Sequence, residues 1–168
     1  MKAKQIILSV FIILLGASTF GQGKNVPYTI KSIKASLYYN SNKSMGTPNV
    51  AGTLSENLID NDSMALWNTI IGEGSALGIS NQTFVVVEIS GNPKDYVARE
   101  IRLTALQGKK VVLKQSQSFA ILDQNNRYYA AFLIYDTGCS PLTLTAEIMN
   151  KQVVESKLTK SVAFNCGE

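Results

Sequence analysis

The chain contains no histidine. The Ser/His and Cys/His nucleophile systems are therefore excluded, along with the commonest general base and the commonest zinc ligand. The side chains left to weigh for chemistry are two cysteines, twelve acidic residues and the aromatic side chains. Cys139 and Cys166 lack the CxxC spacing of a redox pair and have no basic neighbour in sequence to stabilise a thiolate. The expectation is one structural disulfide between them. On the chain-entropy argument, closing that loop contributes about 3–4 kcal/mol.

The acids offer two kinds of chemistry. Asp60 and Asp62, with Glu56, Asn57, Asn61 and Glu73 nearby, supply oxygen at spacings that Ca²⁺ can use. The glycine and terminal glutamate of an EF-hand loop are out of place. Asp ahead of a helical stretch is also explained by capping and the helix dipole. No metal is expected, and Asp60 and Asp62 stand as the calcium candidates. A carboxylate pair for glycan hydrolysis needs two acids at the right separation. Glu88, inside Val85-Val86-Val87-Glu88-Ile89, would have a raised pKa if buried. Its expected place is the solvated face of a strand. Gly72, Gly74 and Gly78 follow a helical stretch instead of opening one, so they read as a connector and not as a phosphate cradle. No catalytic residue and no cofactor are expected. Trp67, Asn68 and Glu73 form the candidate binding segment, in a region that the β pattern leaves unexplained.

The elements that position these residues begin after an export signal. Lys2 and Lys4 precede an apolar run from Ile6 to Leu15, and Gly16 to Gly21 is rich in small residues. This is the layout of a secretory signal peptide over residues 1–21, with cleavage after Gly21. Its apolar core is too short for a span of roughly 20 residues. Residues 22–27 read as a flexible lead-in and 28–168 as one domain. The formal net charge of +4 contains Lys2 and Lys4, and 14 basic residues then face 12 acidic ones. No basic cluster remains for nucleic acid. No later segment reads as a membrane span, so the mature chain is expected in the periplasm or outside the cell. Export also permits the disulfide.

Within the domain, Tyr28–Tyr39 alternates with the period of a half-buried strand. Met64, Trp67 and Ile71 recur at helical spacing before Gly72, which predicts one short helix. Strands are then expected at Thr83–Ile89, Glu100–Leu106, Lys110–Gln115 and Ser118–Leu122. The run Arg127–Cys139 is apolar on both parities from Tyr128 to Tyr135, which predicts a central strand covered on both faces. A final hairpin turns at Asn150-Lys151 and alternates, with Glu155, Lys157, Thr159 and Ser161 on the outer parity of its second strand, which suits an edge. With that turn, the two cysteines miss direct opposition by four residues, which Pro141 and a bulge would have to absorb.

The predicted fold is all-β: an immunoglobulin-like β-sandwich of seven to eight antiparallel strands with one short helix. The functional expectation is a non-catalytic exported module for binding or for envelope or surface structure, with a protein or glycan partner. The alternative is a small carboxylate-dependent extracytoplasmic enzyme acting on glycans.

Overall fold

A computed structural model describes residues 27–39, 52–59, 80, 82–120, 122–137 and 140–164. Among these residues, eight strands lie in two antiparallel sheets: β1 (Thr29–Tyr39), β2 (Thr53–Leu54), β3 (Gln82–Ser90), β4 (Arg99–Gln107), β5 (Lys110–Phe119), β6 (Arg127–Tyr135), β7 (Leu142–Asn150) and β8 (Val153–Val162). One sheet has the order β2-β1-β3-β6 and the other β5-β4-β7-β8. This is the expected all-β sandwich. The helix expected around Trp67, the leader and both cysteines lie outside the described residues.

The alternation read from sequence decides which face is buried. Ile33, Ala35 and Leu37 of β1, Val85, Val87 and Ile89 of β3, and Ala130, Phe132 and Ile134 of β6 form one inner layer. Ile101, Leu103 and Ala105 of β4 and Leu142, Leu144, Ala146 and Ile148 of β7 form the other. Burial of these side chains is the main cohesive term, at roughly 1.5–3 kcal/mol for each large aliphatic. The sheets are also joined at both flanks. Ile30 N donates to Ser156 Oγ at 3.1 Å on the β1/β8 side, and Gln117 Nε2 donates to Ala131 O at 2.6 Å on the β5/β6 side.

Three expectations need correction. β6 is an edge strand, bonded on one side to β3. Ala130, Phe132 and Ile134 are buried and Tyr128 is half-buried, but Tyr129, Ala131 and Tyr135 are exposed and Leu133 is half-buried. Apolar composition on the second parity therefore did not mean a second covering layer among the described residues. Next, Lys110–Phe119 is one unbroken strand, where two shorter ones were expected. Its Lys-Gln-Ser-Gln-Ser stretch is polar because this edge strand is mostly exposed. Finally, the last hairpin turns one residue later than expected. Asn150 pairs with Val153 around Lys151 and Gln152, and Lys151 takes a positive φ of 57°. A bulge follows, because Ile148 faces Ser156 while Met149 faces Val154. Glu155 is the extra residue. The lysine-bearing β8 does form an edge, as its pattern predicted.

Candidate functional site

Among the described residues, two regions stand out as candidates. The first is a charged clamp where β4 begins. The bulge in β8 re-aims Glu155, and its Oε2 accepts from Arg99 Nε at 2.7 Å. Arg99 Nη2 lies 2.8 Å from Asp95 Oδ2, and its Nη1 donates to Val97 O at 2.8 Å. The guanidinium carbon stands 4.1 Å from the centre of the Tyr28 ring, a cation–π contact. Tyr28 is buried; its hydroxyl donates to Asp95 O at 2.9 Å, and burial pushes its pKa up, so it stays a donor. Asn150 Nδ2 completes the set by donating to Glu155 Oε1 at 2.9 Å.

This clamp gathers two carboxylates, which is the arrangement a glycan-cleaving reading needs. Its electrostatics suit a different task. The Val97 backbone N–H, donating to Asp95 Oδ1 at 3.0 Å, is the largest influence holding the Asp95 carboxyl below the usual range, and Arg99 adds to it. A general acid requires a raised pKa. Asp95 and Glu155 instead neutralise one shared guanidinium. The clamp ties the start of β1, the β3–β4 loop, β4 and β8 together.

The second region is the outer face of the β2-β1-β3-β6 sheet. Register places Lys34, Val86 and Ala131 in one row, Ser36, Phe84 and Leu133 in the next. Tyr129 and Tyr135 stand at either end of β6 on this face and are 50% and 62% exposed. Six residues of strand separate them, about 20 Å. Below Tyr129 the row closes with Glu88, which is on the solvated parity as expected. Its Oε1 is 2.6 Å from Arg127 Nη1, and its Oε2 accepts from Ser32 Oγ at 3.1 Å.

The opposite outer face is chemically different. It carries Arg102 and Thr104 from β4, Lys114 and Ser116 from β5, Thr145 and Glu147 from β7, and Lys157 and Thr159 from β8. Thr145 and Thr159 hydroxyls lie 3.2 Å apart, and Lys157 Nζ is 3.0 Å from Glu147 Oε1. These cross-strand pairs satisfy a solvated sheet. One outer face thus carries an aromatic and aliphatic strip along β3 and β6, while the other is polar along its middle, has no aromatic side chain among the described residues, and exposes only the aliphatic Val111 and Val154 toward its ends.

Several sequence candidates cannot be placed in either region. Asp60, Asp62, Trp67, Asn68, Glu73, Cys139 and Cys166 lie outside the described residues. Of the other aromatics, Tyr128 stacks on Phe119 with centroids 4.9 Å apart, while Tyr96 is exposed in the β3–β4 loop. Sequence reasoning missed Arg99 altogether. The i, i+4 spacing of Asp95 and Arg99 was the available signal. It also missed Tyr135, because a covered strand was expected there. Among the described residues, no helix is long and apolar enough to cross a membrane.

No family model matches the chain, and no curated protein matches it. Among solved structures it is similar to a crystal structure from Bacteroides fragilis carrying a beta-galactosidase designation, at 12% sequence identity and a TM-score of 0.43. The alignment covers 84% of this chain and 30% of that one.

Proposed function

We propose that the chain is a non-catalytic exported β-sandwich module that binds a protein or glycan partner through the outer face of the β2-β1-β3-β6 sheet. The observation that carries this reading is the asymmetry of the two outer faces. A solvated sheet face needs no aromatic side chains, and the β5-β4-β7-β8 face has the Thr, Ser and charged pairs expected of one. The other face holds Tyr129 and Tyr135 half or more exposed, with Phe84, Val86 and Leu133 between them. Contiguous aromatic and aliphatic surface on a small domain is a mark of an interaction site. Tyr suits both partner classes, because it offers a stacking face and a hydroxyl at low entropic cost.

Export is proposed from the Lys2-to-Gly21 layout. The strand order also supports the immunoglobulin-like arrangement. On that scheme β1, β3 and β6 correspond to strands A, B and E, and β4, β7 and β8 to C, F and G, with β5 added beside C. The test is partner capture by the exported chain, compared with a variant in which Tyr129 and Tyr135 are both replaced by serine. Loss of the partner supports the reading.

A further inference from the structure

Among the described residues the sandwich has four lateral strand edges, and three of them are managed. At β1, residues 52–58 cover the edge. Gly52, Ser55 and Leu58 donate backbone N–H to Tyr39 O, Leu37 O and Ala35 O, while Ser55 Oγ and Asn57 Oδ1 accept from Leu37 N and Ala35 N. The edges β5 and β8 carry Lys110 and Lys114, and Lys157 and Lys160, together with bulges. Charges and bulges of this kind discourage pairing with other chains. The fourth edge is β6. From Tyr128 to Tyr135 it reads Tyr-Tyr-Ala-Ala-Phe-Leu-Ile-Tyr, with no charge, proline or glycine, and it pairs with β3 without a register shift.

The backbone of that edge is oriented for pairing. Arg127 O accepts from Asp123 N, and Ala131 O accepts from Gln117 Nε2, so the odd residues of β6 direct their peptide groups away from β3. Tyr129, Leu133 and Tyr135 share that direction and lie on the outer face.

We propose that β6 pairs antiparallel with β6 of a second copy of this chain, about a two-fold axis at Phe132, joining two four-stranded sheets into one. The sequence is self-complementary in this register. Tyr129 faces Tyr135 of the second copy, Ala131 faces Leu133, and Ala130 faces Ile134. Ala131 and Ala130 each meet a large side chain, Phe132 meets its own copy at the axis, and each end gains an aromatic cross-strand pair. No like charges oppose each other. At each end of the ladder Arg127 of one copy comes opposite Thr137 of the other, so no charge meets its like there. The Gln117 amide yields Ala131 O to the incoming strand. A two-fold contact of this kind is closed, so it consumes the sticky edge instead of propagating it. The inference rests on the β6 edge and not on the proposed partner-binding role, although pairing would double the aromatic outer face.

The test is sedimentation equilibrium on the full chain, expressed with its own N-terminus so that any processing by the host is retained. The expected result is twice the mass of the chain. Leu133→Pro removes one outward-facing N–H that the protein's own sheet does not use, and should give a monomer that still melts cooperatively. Ala131→Lys places a charge at an exposed position facing Leu133 of the second copy and should do the same, which decides the matter if the proline variant fails to fold. Val154→Lys, on β8, should remain a dimer. A monomeric wild-type chain at concentrations where edge pairing is sought would overturn the proposal, as would a dimer untouched by a folded edge variant.

Discussion

Gln117 and Ala131 are joined across the open flank of the sandwich: the Gln117 side-chain amide donates to the Ala131 carbonyl oxygen at 2.6 Å. β5 belongs to one sheet and β6 to the other, so this bond fastens the flank opposite the Ile30–Ser156 contact. It caps a single carbonyl of a strand whose outward odd residues include both exposed tyrosines. The relationship sets the protein's two surfaces apart, since the flank is lightly tied and the β4/β8 end is clamped.

The clamp is predicted to matter for stability. Arg99→Met keeps an apolar stem against Tyr28 but leaves Asp95 and Glu155 without their shared cation. The loss should be about 2–3 kcal/mol, below that for a fully buried pair because both partners retain some exposure. Urea denaturation measures it. Adding Asp95→Asn and Glu155→Gln to Arg99→Met should restore part of the loss, since the stranded charges are then gone.

Acid should act through Asp95. Its pKa is lower in the folded state than in the unfolded chain. Its contribution is therefore complete above the unfolded value and is lost as pH falls through the folded one. Melting temperature should decline between about pH 5 and pH 2, and Asp95→Asn should show a shallower acid slope. An unchanged slope would mean that other carboxylates control the acid limb.

Gly91 lies against the ring of Tyr28, and a Cβ there would clash with the ring atoms. The ring cannot swing aside, because its hydroxyl is bonded to the β3–β4 loop and Arg99 stands over its face. Gly91→Ala should cost about 1–3 kcal/mol as overpacking. Thermal melts of this variant alone and with Tyr28→Leu would test the clash, because the smaller side chain should relieve it.

Intact mass of the chain purified from an exporting host reads two sequence expectations together. Cleavage after Gly21 predicts a mature chain beginning at Gln22. A Cys139–Cys166 disulfide predicts no thiol free to react with an alkylating agent until a reductant is added. Two alkylated cysteines in the untreated protein would contradict the bridge, and an unprocessed N-terminus would contradict the leader.

Strand identity was legible where one face is buried and one is wet. Leu142, Leu144, Ala146 and Ile148 alternate with Thr143, Thr145 and Glu147, and β7 follows that pattern. Local pattern failed where burial depends on a neighbour far along the chain. In β6, Tyr129 and Leu133 are as apolar as Phe132 and Ile134, and only the sheet order shows that nothing in the described fold lies over the first pair. In β5, Gln115 to Ser118 carries no hydrophobic signal because an edge strand need not bury a face. The clamp was invisible for a related reason. Arg99 and Glu155 are 56 residues apart and meet through a bulge that shifts the hairpin register.

Capture from the native envelope tests the binding reading most directly. Immobilised wild-type chain is compared with Tyr129→Ser/Tyr135→Ser and with Lys157→Ser on the polar face, and bound proteins and glycans are quantified. A partner retained by wild type and Lys157→Ser, and reduced about tenfold or more in the double tyrosine variant, is the predicted result; each buried Tyr anchor lost costs on the order of 1–2 kcal/mol. Equal retention of that partner by the double variant would contradict it.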